Sequence, residues 1–174
     1  FYTAMAYDSF RSEIVLFGGT LSDDPAGVVR TNDTWTYKYY TESDRRWTKA
    51  NPASYPSARN AAAMAFDSAR HVIVLHGGQV GSASGYGNSS NETYEWSGSN
   101  WSRVSTSGPC VGTPSGISWH AMAYDPYRSR TVLFGGWAGD YSGCRKNETW
   151  EWSGSTWTKM TPSRKPVERE YHSM

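Results

Sequence analysis

Histidine is the first side chain to consider for chemistry, because a neutral imidazole is the commonest metal ligand and a ready proton acceptor near neutral pH. The chain has four: His71, His76, His120 and His172. His120 and His172 each stand two residues before a methionine in similar segments, so a metal site between them is conceivable. Thr3 and Ala62 replace them in the other copies of that segment. We therefore expect structural histidines, no metal ligand and no cofactor.

Carboxylates and nucleophiles give no stronger sign of catalysis. Asp8, Asp67 and Asp125 recur at one position of a repeated phrase, where an Asp side chain can cap a turn. The sequence has no glycine-rich phosphate loop, no nucleophile elbow and no Cys/His cluster with zinc spacing. We predict no catalytic residue from the sequence.

Three near-copies of one phrase organise the chain. TAMAYDSFRSEIVLFGG, AAMAFDSARHVIVLHGG and HAMAYDPYRSRTVLFGG place their methionines at 5, 64 and 122, and a fourth copy starts at residues 171–174. Each reads as a short apolar strand, a turn and a β-branched strand ending at Gly-Gly. An N(D/E)T-aromatic strand and a strand opening with tryptophan follow each copy. Four strands per repeat predict the blades of a β-propeller.

The succession MAYD, VLFGG, N(D/E)TW and WTK resembles the kelch repeat, in the variety found in galactose-oxidase-like central domains and secreted bacterial proteins. The resemblance covers the whole chain. It implies an all-β propeller of three four-stranded antiparallel blades plus the start of a fourth: blade 1 at 1–58, blade 2 at 59–116, blade 3 at 117–168 and the next from 169–174. Kelch folds host enzymes and binding modules alike, so the resemblance specifies function poorly.

Three blades fill only part of a ring, since propellers close with about four to eight blades. We expect a segment of a larger ring of six to eight blades. The expected partners are the remaining blades of the same protein. The alternative is that a second copy of this chain completes the ring.

Composition and cysteines indicate an extracellular or periplasmic protein. The net charge is +1, which favours neither nucleic acid nor an acidic membrane surface as a partner, and no apolar run is long enough for a membrane span. Cys110 and Cys144 lie in two connections that an even number of strand reversals separates, so both emerge on one side of the blade. We predict a disulfide between them, worth about 3–4 kcal/mol by the chain-entropy estimate, in an oxidising compartment.

The ligand-binding residues are predicted where loops vary. All long loops, both those between second and third strands and those between blades, leave one side of the propeller. Aromatic residues that break the repeat have no assigned packing duty; they include Trp119. The predicted ligand site comprises Trp137, Asp140 and Tyr141, flanked by Tyr86, Asp23 and Asp24.

The preferred function is a non-catalytic module that binds carbohydrate or protein through this side. One alternative is a fragment of a galactose-oxidase-like copper enzyme whose catalytic residues lie elsewhere. The resemblance implies two tyrosines and two histidines around copper for such a site, with one of the tyrosines cross-linked to a cysteine, and no set of residues here matches it. The other alternative is an architectural unit that assembles with itself.

Overall fold

The structure is a computed structural model that describes residues 1–21, 28–41, 44–81, 88–105, 116–138 and 144–174. These ranges form twenty β-strands, and none of their residues belongs to a helix that could span a membrane. The strands are β1 (Ala4–Asp8), β2 (Glu13–Phe17), β3 (Thr20–Leu21), β4 (Val29–Arg30), β5 (Thr34–Thr41), β6 (Asp44–Lys49), β7 (Arg59–Asn60), β8 (Ala63–Asp67), β9 (Val72–His76), β10 (Gln79–Val80), β11 (Asn88–Ser89), β12 (Thr93–Trp96), β13 (Trp101–Ser105), β14 (Ile117–Ser118), β15 (Ala121–Asp125), β16 (Arg130–Phe134), β17 (Trp137–Ala138), β18 (Cys144–Arg145), β19 (Thr149–Trp152) and β20 (Trp157–Met160).

Three antiparallel four-stranded sheets repeat along the chain. Sheet 1 has the order β1-β2-β5-β6, sheet 2 the order β8-β9-β12-β13, and sheet 3 the order β15-β16-β19-β20. The register repeats as well: Met5, Met64 and Met122 pair with a leucine of the adjacent strand in every sheet. The architecture is therefore all-β and consistent with propeller blades, as predicted.

The turn between the first two strands has the same geometry in all three large sheets because an aspartate caps it. Asp67 accepts the backbone N–H groups of Ala69 and Arg70 at 3.0 and 3.1 Å, and its second oxygen pairs with the Arg70 guanidinium at 2.8 Å. Asp8 and Asp125 make the same contacts in sheets 1 and 3. The predicted turn-capping role of these carboxylates is confirmed.

The hydrophobic core lies between neighbouring sheets. Small and β-branched side chains of sheet 1 pack against Met64, Leu75 and Trp96 of sheet 2, and sheet 2 meets sheet 3 in the same way. At each junction an indole N–H reaches back to a threonine of the preceding sheet: Trp101 donates to Thr34 at 2.9 Å, and Trp157 donates to Thr93 at 3.0 Å. The expectation that recurring tryptophans pack between blades holds at these two junctions.

One face of sheet 1 departs from the predicted burial. The sequence predicts a first strand buried on both faces, yet Met5 is 55% exposed and Tyr7 57% exposed, whereas Met64 is 7% exposed. Trp47, which corresponds to the fully buried Trp101, is also exposed. The reason is that no other described element packs against this face.

The long connections form small sheets at one end of the large ones. β7 pairs with β10, which pairs with β11, and β14, β17 and β18 repeat that order. The paired glycines allow this approach: Gly77 has φ +70°, and a Cβ there would collide with the carbonyl oxygen of Ile117. The next residue, Gly78, donates its N–H to that same oxygen at 2.8 Å. A crossing segment is thus held against the end of each second strand.

Candidate functional site

A shallow depression of about 240 Å³ opens where the first strands of the three sheets begin. This is the end of the sheets that carries the long connections. Its lining residues come from four equivalent segments of the repeat, and none has a side chain that is charged at neutral pH: Tyr2, Thr3, Ala61, Ala62, Trp119, His120, Tyr171 and His172.

A chain of backbone hydrogen bonds fixes the outer row of this lining. The N–H of Ala61 donates to the carbonyl of Tyr2 at 2.9 Å, that of Trp119 to Ala61 at 3.0 Å, and that of Tyr171 to Trp119 at 3.0 Å. All four residues have positive φ, between 55° and 61°. Such a backbone is uncommon for residues other than glycine and concentrates at functional sites. The repeat therefore holds four side chains in one strained, fixed arrangement.

Three of those four side chains are aromatic, and they touch. The ring centroids of Tyr2 and Trp119 are 4.4 Å apart with perpendicular planes, and those of Trp119 and Tyr171 are 4.3 Å apart at 38°. Because Ala61 is small, Tyr2 reaches Trp119 across the position between them. Tyr2 and Tyr171 remain more than half exposed. We name Tyr2, Trp119 and Tyr171 the aromatic cluster.

Two histidines lie beneath the aromatic cluster. Each ring rests on a glycine of the preceding sheet, His120 over Gly77 and His172 over Gly135. Burial lowers the pKa of His120 to about 3, the charge of His172 adds to this, and the His76 carbonyl opposes it. Burial, followed by the charge of Arg169, also lowers the pKa of His172. Both imidazoles are therefore neutral at physiological pH.

The lining of the depression combines aromatic faces with neutral polar groups. Exposed aromatic faces offer apolar contact with polar tips, while the lining provides no nucleophile paired with a base. Among the residues that the structure describes, no three His, Cys, Asp or Glu side chains group closely enough to hold a metal ion.

Most residues of the predicted ligand site cannot be placed. Asp23, Asp24, Tyr86, Asp140 and Tyr141 lie outside the described residues. Trp137 is half-buried on β17, at the same end of the sheets, but it does not line the depression. Cys110 and the side chain of Cys144 are also outside what is described, so the disulfide stays a prediction.

The aromatic cluster is the part of the site that sequence reasoning missed. The sequence analysis names Trp119 as an aromatic residue that breaks the repeat, and it does not name Tyr2 or Tyr171. The available signal was their shared position, three residues before Met5, Met122 and Met174. Scanning that position through all four copies shows three aromatic residues and one alanine.

The chain is similar in structure to YjhT, a kelch-like β-propeller protein. The solved structure of YjhT aligns with 92% of this chain at a TM-score of 0.61 and 14% sequence identity, and the match covers 45% of the YjhT chain. No family model matches the sequence, and no curated protein matches it. The likeness supports a β-propeller fold and carries no information about activity.

Proposed function

We propose that this chain is the binding segment of a secreted kelch-type propeller, and that it recognises carbohydrate through the aromatic cluster. The observation that carries the proposal is the contact of three aromatic rings, two of them largely exposed, on the long-connection end. The apolar face of a sugar ring stacks on such a surface while its hydroxyls stay in water or meet the tyrosine tips.

The composition of the depression favours this ligand over a protein. Protein hot spots combine tryptophan and tyrosine with arginine and a desolvated centre. Here the lining has no arginine, and the depression is shallow and open. A copper-radical enzyme finds no support in these residues, because no tyrosine–histidine–cysteine set can be assigned to the described part of the site.

Trp119→Ala is expected to weaken glycan binding at least tenfold. The indole contacts both neighbouring tyrosines, so its loss removes the central ring and frees the other two; about 1.4 kcal/mol corresponds to that tenfold change. The measurement is a glycan array with the wild-type chain, followed by titration of the best ligand into both proteins.

Two variants separate recognition from folding. Trp119→Phe keeps an aromatic ring and is expected to recover most of the affinity. Tyr127→Ala removes a ring that is 96% exposed at the opposite end of β15, and binding should not change. A blank array, or equal losses in Trp119→Ala and Tyr127→Ala, would contradict the proposed function.

We also propose that a further blade of the same type covers the exposed face of sheet 1. Met5, Tyr7 and Trp47 repeat the residues that bury against the preceding sheet at the other junctions.

If a second copy provides this blade, the wild type sediments as a dimer and Tyr7→Lys as a monomer. If other repeats of the same polypeptide provide it, Trp47 is shielded from fluorescence quenchers in a monomer. A monomer with Trp47 open to quenchers would refute the proposal.

Secretion is the remaining element of the proposal, and the cysteine pair supports it. A Cys110–Cys144 bridge would require an oxidising compartment. Intact-mass measurement with and without reductant decides whether the bridge forms; free thiols in protein taken from its natural source would oppose secretion.

A further inference from the structure

We infer that Arg30 forms a binding site for the carboxylate of a small acidic molecule. The site lies among the long connections, and Arg30 does not line the depression. The inference therefore goes beyond the proposed function and does not depend on it. It begins from a pair of side chains that recurs in all three repeats with a different charge each time.

The recurring pair joins a connection strand to the crossing segment that leads into the next repeat. Its first member stands two residues before the N(D/E)T motif, and its second stands four residues before the next methionine. The two side chains meet in every copy: Arg30 Nε donates to Asn60 Oδ1 at 3.2 Å, the hydroxyl oxygens of Ser89 and Ser118 are 3.1 Å apart, and Arg145 Nε donates to Glu170 Oε1 at 2.9 Å. The third copy thus carries both charges, the second carries neither, and the first carries only the cation.

The cation of the first copy is buried without a counterion among the described residues. Arg30 is 8% exposed, and its hydrogen bonds in this part of the chain go to neutral oxygens. Burial lowers the pKa of its guanidinium, because the charged form loses contact with water. Buried charges in proteins are ordinarily paired. An anion beside Arg30 would therefore take the place that Glu170 has beside Arg145.

Hydrogen-bond donors remain for that anion on two neighbouring side chains. A guanidinium has five N–H groups, and Arg30 uses three of them: on Asn60, on the Gly81 carbonyl at 2.6 Å and on Gln79 Oε1 at 3.5 Å. The amide nitrogen of Gln79 is buried and has no partner among the described residues. Charge-assisted N–H groups of this kind bind the two oxygens of a carboxylate well.

Gly81 leaves one side of the guanidinium open. This glycine is exposed, and a Cβ added to it would meet no atom of the described residues within 4 Å. Since Arg30 Nη1 bonds to the Gly81 carbonyl, the end of the guanidinium lies beside this open edge. A small anion can approach from there.

The charge of the site selects a singly charged ligand. Arg30 supplies one positive charge, and Thr20, Asn60 and Gln79, which surround it, are neutral. A carboxylate balances that charge, whereas sulfate would keep an unbalanced negative charge in partly desolvated surroundings, which is unfavourable. We expect acetate to bind about fivefold or more tightly than sulfate.

Asn60→Asp tests the site by giving Arg30 a carboxylate of its own. The two side chains have the same shape, so one oxygen keeps the contact with Arg30 and the other can accept from the Thr20 hydroxyl. Binding of sodium acetate is followed through the NMR signal of the Arg30 Nε–H, with sodium chloride at equal ionic strength as the reference. We expect a saturable shift in the wild type and at least tenfold weaker acetate binding in Asn60→Asp.

The second repeat supplies a matched control. Arg30→Ser combined with Asn60→Ser reproduces the Ser89–Ser118 pair, so it removes the cation and keeps a pair that this fold already accepts. Acetate should raise the urea midpoint of the wild type above its value in chloride. It should not do so in the double serine variant, which also corrects for general effects of the salt on stability.

Each outcome supports or overturns the inference. Acetate binding that persists in Asn60→Asp, or a wild-type midpoint that is equal in acetate and chloride, would overturn it. Equal affinity for acetate and sulfate would contradict the selection for a single charge. If the wild type ignores acetate and Asp23→Asn with Asp24→Asn binds it, the chain provides its own carboxylate and the inferred external ligand is wrong. No glycan enters these measurements, so their failure is distinct from failure of the proposed function.

Discussion

Arg59→Ala is expected to lower the free energy of unfolding by about 3 kcal/mol or more, within the range for breaking a buried ion pair. The guanidinium is fully buried and pairs with Glu92 at 2.7 Å. It also donates to the carbonyl of Gly77 at 3.0 Å and to the Ser57 hydroxyl at 2.9 Å. Its removal leaves the buried Gly77 carbonyl without this donor and empties the space above the Tyr94 ring.

The electrostatics of Glu92 support the size of this effect. Burial by itself would raise the pKa of that carboxyl, but the hydrogen bond and the charge of Arg59, together with hydrogen bonds from Arg103 and Ser90, outweigh burial and hold the pKa below its usual value. Without Arg59 the carboxylate keeps its burial and loses its main counterion.

Arg103 provides a matched control. It pairs with the same carboxylate at 3.1 Å, but its side chain is 55% exposed. Arg103→Ala should therefore lower the free energy of unfolding much less than Arg59→Ala does, because exposed ion pairs contribute little to stability. Chemical denaturation of the two variants checks the comparison, and equal losses would show that the buried position of Arg59 is unimportant.

Acidification from pH 6.5 to 4.5 is expected to remove about 2 kcal/mol of stability through His120, and the lowered pKa of His76 adds a loss of the same sign. Burial, then the charges of His120 and Arg59, holds the pKa of His76 well below its ordinary value, and the pKa of His120 is about 3. In the unfolded chain both titrate near 6.5. Below pH 6.5 the unfolded state therefore binds protons that the folded state does not bind. The contribution of these histidines to the free energy of unfolding is complete above pH 6.5 and falls as the pH decreases.

The repeat itself suggests the variant that tests this. Phe17 and Phe134 occupy the position of His76 in the other sheets, so His76→Phe fits the local backbone. It should reduce the pH slope of the free energy of unfolding, measured by denaturation at several pH values above 4.5. An unchanged slope in His76→Phe would exclude this source of acid sensitivity.

The repeat made the large sheets predictable, because each strand and turn is specified by nearby residues. Asp67 caps its turn through atoms two and three residues away, and the Met64–Leu75 register follows from one short hairpin. The sequence also predicted that tryptophans pack between sheets, because Trp101 and Trp157 recur at the same position of the repeat. Residues close together in the chain specify these features, so a single sequence is enough to predict them.

The aromatic cluster was not predictable by the same means. Tyr2, Trp119 and Tyr171 are 117 and 52 residues apart, from their numbers in the chain, and they meet only because a backbone hydrogen-bond chain aligns four repeats. The contact also needs the small side chain of Ala61 between two of them. The two-residue strands of the connections were missed for a related reason: pairs such as Gln79–Asn60 depend on tertiary approach and have no periodicity to reveal them.

The repeated junction between neighbouring sheets has a consequence for how the gene can change. Since both junctions use the same donor and acceptor, Trp101 with Thr34 and Trp157 with Thr93, duplicating one whole repeat in a gene yields a unit whose two faces already fit its neighbours.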